Sequence, residues 1–136
     1  MRIVLLVATF VIGLLLALHL AMNAAAGRAL ANPRVGNMAF WISGAIIATI
    51  LGLSAWRTDT LAAARTLPPW LWLAGALGAC LILGIAMLIP ELGAGSVMAV
   101  LLAAQLLGGM MLSHFGVLGS PVEKINVVRV VGTILM

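Results

Sequence analysis

Charge is scarce in this chain. Of its 136 residues only 7% are Asp, Glu, Lys or Arg, and only three of those are acidic. Soluble domains carry about a quarter charged residues, so a water-soluble enzyme is excluded. Tyrosine is absent and there is one cysteine, Cys80. A lone cysteine rules out an intrachain disulfide, and its place deep in an apolar run predicts a buried structural thiol. The three acids, Asp59, Glu91 and Glu123, all fall between the long apolar runs. That leaves no pair of intramembrane carboxylates for acid–base chemistry and no acid for an ion-filter ring. With no G-x-S-x-G elbow and no phosphate loop either, the expectation is a protein that is not an enzyme and has no cofactor. Eight methionines and two histidines suggest a soft-metal route, but none has ligand spacing, so no metal site is expected.

What is abundant is apolar surface: 65% of the residues are hydrophobic, and the mean hydropathy is +1.29. A helix needs roughly 20 apolar residues to cross the hydrocarbon core. Four runs meet that length, at about residues 3–26, 38–56, 70–89 and 94–115, and a fifth, 125–136, is too short to cross alone. The pattern predicts an all-α, polytopic membrane helix bundle in which residues 1–136 form a single integral membrane domain. The first run imitates a signal peptide, with Arg2 before it and Ala24, Ala25 and Ala26 near its end, but the rest of the chain is equally hydrophobic and it is read as a helix. Ala31 to Arg34 supply the first turn, with Trp41 and Trp56 as interfacial anchors of the second span. Pro68 and Pro69 suit the start of the third. Pro90, Glu91, Leu92 and Gly93 form the tightest link, read as a turn and as a candidate gate or hinge at Pro90 and Gly93.

The seven basic residues are scattered singly near span ends, which sets topology and gives no nucleic-acid surface. With alternating links, Arg2, Arg57, Arg65, Lys124 and Arg129 fall on one side and Arg28 and Arg34 on the other, which favours a cytoplasmic N-terminus. The modest bias leaves dual insertion open. Gly44, Ala48 and Gly52 form a small-residue stripe on the second span, with Gly78 and Gly108 on the third and fourth, read as ordinary helix packing or as a dimer seam. Intramembrane polar groups are the informative positions. His19 and Asn23 lie four apart on one helix face and Gln105 sits mid-span, so these three are the candidate substrate-binding residues; the structural alternative is an interhelical hydrogen bond such as Asn23 to a carbonyl. His114 turns to the face opposite Gln105 and is read at headgroup level.

The run from His19 through Asn23, Gly27 and Arg28 to Pro33 resembles short YdcZ-type members of the drug/metabolite transporter superfamily. So do I-P-E-L-G-A-G (89–95) and A-Q-L-L-G-G-M-M-L-S-H-F-G (104–116). The resemblance implies half of a ten-helix transporter, four full spans plus a short or truncated fifth, in the bacterial inner membrane. It implies a small-molecule exporter subunit working as a dimer by alternating access, with a second, inverted copy or a paralogous subunit as partner. Ser113 stands where that family often has Asp before His-Phe-Gly, which puts a charge at that position in doubt. The more distant small multidrug resistance proteins couple protons through a first-helix glutamate, and no span here holds one. Histidine titrates nearest neutral pH, which makes His19 the candidate coupling group. A neutral or weakly charged substrate is expected. The rival expectation is a non-transporting membrane scaffold or assembly subunit that docks partner helices.

Overall fold

The computed structural model describes residues 1–134, and among them every regular element is helical. Four helices are long and apolar enough to cross a membrane. The chain divides into two units, Met1–Leu92 and Gly93–Met136.

The first unit is built on α1 (Arg2–Ala29), α2 (Pro33–Ser54) and α4 (Leu73–Leu92), each packed against the other two. At 1.5 Å per residue the 28 residues of α1 reach about 42 Å, longer than a hydrocarbon core of about 30 Å. The turn into α2 is closed by backbone bonds from Ala31 to the Arg28 carbonyl and from Asn32 to the Gly27 carbonyl, both 3.0 Å. This is the Schellman pattern, with Ala31 at φ 50° in the left-handed position usually held by glycine. Asn32 then caps α2, its Oδ1 accepting from the backbone N–H groups of Arg34 (3.0 Å) and Val35 (3.4 Å). Pro33 occupies the first helical turn, where its missing N–H costs nothing. The second span therefore starts at Pro33 instead of Met38, and Pro33 and Arg34 belong to the helix instead of the turn.

The closest approach of α1 and α2 is made by two glycines. A Cβ on Gly36 would lie 2.6 Å from both the Cα and the N of Gly27, backbone that cannot yield without separating the helices. Nothing lies within 4 Å of a Cβ added at Gly44, Gly52 or Gly108, and Ala48 is exposed. At Gly78 a Cβ would touch the Trp41 ring at 3.4 Å, so Trp41, expected as an anchor at the span's end, lies about two turns inside α2 and packs across to α4. Cys80 is exposed, correcting the expectation of a buried thiol. An apolar neighbourhood in the sequence does not put a side chain on the packed face of its helix.

The polar link after α2 contains a short helix, α3 (Thr60–Arg65). A 3-10 turn at Pro69–Trp72 leads into α4. Pro90 lies inside α4, and the helix continues to Leu92. The expected four-residue link shrinks to Gly93, whose φ of 79° and ψ of 147° suit glycine alone. Proline so near a helix end removes one ladder bond without forcing the last turn open.

The second unit holds α5 (Ala94–Phe115) and α6 (Val127–Ile134). Gly116, at φ 61°, ends α5. A 3-10 turn (Val117–Gly119) then doubles the chain back, so that Glu123 donates its N–H to the Ser113 carbonyl at 2.9 Å. His114 Nδ1 accepts from the backbone N–H of Ile125 at 3.2 Å, which gives that ring a structural role in holding the return segment. Arg129 pairs with Glu123, and the Thr133 hydroxyl donates to the Arg129 carbonyl at 2.9 Å, with Met110 Sδ 3.5 Å from the same hydroxyl oxygen. The eight residues of α6 span about 12 Å, short of a crossing. Leu135 and Met136, the end of the expected fifth span, lie outside the described residues.

Candidate functional site

Within the first unit the polar groups of α1 and α2 meet. Asn23, 1% exposed, donates from Nδ2 to Asn37 Oδ1 at 3.1 Å, and Asn37 donates from its own Nδ2 to the Ala79 carbonyl at 3.2 Å. One relay thus joins α1, α2 and α4. Its direction is fixed from one end. A carbonyl can only accept, so Asn37 turns its nitrogen to Ala79 and its oxygen to Asn23, and Asn23 must donate. Among the described residues, Asn23 Oδ1 is left as a buried acceptor with no hydrogen-bond partner. Such a group in a low-dielectric interior costs about 1–3 kcal/mol unless a donor reaches it.

One helical turn below Asn23 on α1, the His19 ring packs against Phe40 of α2, with centroids 4.3 Å apart and planes tilted by 58°. His19 is exposed on the surface of the unit, so the two residues of this face differ: Asn23 is sealed and His19 is open.

A cavity of about 320 Å³ lies at the opposite end of this unit from the N-terminus, where α1 and α4 finish and α2 begins. Ala24, Gly27 and Ala31 give it a wall without bulk, Ala86, Met87 and Pro90 of α4 form the facing wall, and Pro33 closes one side. Its two charged residues are Arg28 and Glu91. Both are exposed, and among the described residues neither has an opposite charge within 4.0 Å.

A family model described as "Putative inner membrane exporter, YdcZ" matches residues 4–136. The chain belongs to the YdcZ family. Searches of the curated proteins and of the solved structures each found no match. As a YdcZ member with four candidate spans, the chain is a multi-pass protein of the inner membrane, embedded in a lipid bilayer, from an exporter family and not an enzyme family.

Of the residues singled out in this YdcZ chain from sequence, His19 and Asn23 share a helix face as their spacing requires, and Gln105 is exposed at mid-length on α5 in the second unit. Asn37 was missed, because a second span drawn from Met38 left it outside the bilayer. Reading Asn32-Pro33 as cap and first helical residue would have put Asn37 one turn inside the helix. The approach of Gly27 to Gly36 carried a similar signal, two glycines placed on either side of a short turn.

Proposed function

We propose that this chain is the subunit of a secondary transporter that exports a small molecule by alternating access, as a dimer. The observation that carries the reading is the unpartnered Asn23 Oδ1 at the junction of three helices. A purely structural relay in hydrocarbon would end with its acceptors used; a passing ligand donor, or the water that accompanies it, completes this one. In this reading Asn23 binds substrate, and His19 contributes binding or proton coupling. In the second unit Gln105 is the candidate contact. Pro90 and Gly93 serve as the hinge, since Gly93 is the single residue between α4 and α5.

The dimer is supported by the exposed imidazole of His19, which is costly against lipid and gains from a covering subunit, and by the open face of α2 at Gly44, Ala48 and Gly52. The excess of basic residues on the N-terminal side supports a cytoplasmic N-terminus. A second, inverted copy or a paralogous chain completes the assembly.

Everted inner-membrane vesicles holding the wild-type chain or its Asn23→Ala variant, matched for protein amount, test the transport reading. Both are energised in a mixed pool of small polar metabolites and their contents compared by mass spectrometry. At least one compound is expected to accumulate with the wild type and to fall at least tenfold in the variant. Identical contents in both, equal to those of empty membranes, contradict it.

A further inference from the structure

The cavity at the end of α1 and α4 carries one cation, one anion and an apolar wall, and its charges are not spent on each other. Glu91 stands in the last turn of α4, where the helix macrodipole already concentrates negative potential and a carboxylate is unfavourable without a cation. Pro90 strengthens that bias. It has no N–H for the carbonyl of Ala86, four residues back, and Ala86 itself lines the cavity. The α4 side therefore brings the Glu91 carboxylate, an acceptor, to the cavity at a helix end whose dipole is itself negative. The α1 side presents the Arg28 guanidinium, which has only donors.

Size narrows the ligand further. The cavity is half-open, and a volume of about 320 Å³ is room enough for a small molecule that reaches both charged residues. An uncharged ligand would leave both ions idle. A simple cation would leave Arg28 beside it unfavourably, and a simple anion would leave Glu91 so.

We propose that this cavity binds a small zwitterion, with a primary ammonium held by Glu91 at the α4 end and a carboxylate or phosphate held by Arg28. Two sources share that chemistry: a free amino acid, and the ethanolamine phosphate headgroup of a lipid. The site goes beyond the transport reading and does not need it, because occupancy is measured by binding alone.

The test uses the full chain purified in detergent micelles and, separately, in nanodiscs of phosphatidylcholine with or without phosphatidylethanolamine. L-Alanine and phosphoethanolamine are the zwitterionic probes; ethylamine and acetate are the half-ligands, all titrated by calorimetry. At least one zwitterion is expected to bind at least tenfold more tightly than either half-ligand. Arg28→Gln and Glu91→Gln should each weaken it at least tenfold, and the exchanged pair, Arg28→Glu with Glu91→Arg, should recover part of the loss. Thermal unfolding of each variant near the wild-type Tm shows that the site and not the fold was lost, and the exchanged pair carries the test if a single variant unfolds. Competition from phosphatidylethanolamine nanodiscs, lost in Arg28→Gln, assigns the lipid headgroup as the source; binding unchanged by lipid assigns the free molecule. Half-ligands binding as well as zwitterions, no binding in any medium, or zwitterion binding indifferent to both single substitutions overturns the proposal. Failure here with substrate accumulation intact in vesicles would leave transport standing, and the reverse would leave the cavity standing.

Discussion

Asn37 carries more of the fold than any other single side chain, because one amide both receives Asn23 and reaches the Ala79 carbonyl. Replacing it by Ala removes two interhelical bonds and strands the Asn23 donor beside its unpaired acceptor. Membrane hydrogen bonds average about 0.6 kcal/mol, so Asn37→Ala is expected to lower the unfolding free energy by about 1–2 kcal/mol, read by thermal or denaturant unfolding in micelles. Asn37→Asp should cost at least as much, since a carboxylate cannot donate to Ala79. An unchanged Tm in both variants would remove the relay from the account. At the same scale, His19→Ala is expected to reduce transport with little change in Tm, and undiminished transport would exclude His19 from binding and coupling. Asn23 and His19 were legible because they interrupt an apolar run. Asn37 was not, because a turn drawn too wide hid it. Arg28 and Glu91 were visible only as charges at span ends, since their shared cavity depends on which helix ends meet.

The three-helix unit rests on elements meeting at points without side chains. Gly36→Ala drives a Cβ into the backbone of Gly27, and overpacking of that kind costs about 1–3 kcal/mol. Gly52→Ala, with nothing within 4 Å, is expected to leave stability unchanged or raise it by up to about 1 kcal/mol in the isolated subunit, since alanine is the better helix former. Paired unfolding curves of the two variants check this, and equal effects would contradict the packing described. Ala31→Gly should be neutral or stabilise by up to about 1 kcal/mol, because it relieves a left-handed alanine at the Schellman position. The four long helices were legible from apolar run length to within a few residues. Their ends were less so: Pro90 reads as a break by composition, yet a proline in a last turn leaves the helix intact. The α3 helix, six residues in a polar link, had too little apolar period to announce itself.

For the whole molecule, lipid, partner and substrate meet at the exposed face of α1 that carries His19. A scaffold would keep that face dry against another helix; a transporter must wet it from each side of the membrane in turn. The most direct measurement is sided thiol labelling of His19→Cys in a Cys80→Ser chain, using a charged, membrane-impermeant reagent on right-side-out and everted vesicles. Val4→Cys and Ile47→Cys in the same background mark the surroundings of exposed apolar side chains. Alternating access through this face requires labelling of position 19 from both sides, at rates well above Ile47→Cys. Protection of position 19 from both sides, at the level of Ile47→Cys, would contradict alternating access through this face and leave the chain as a structural subunit.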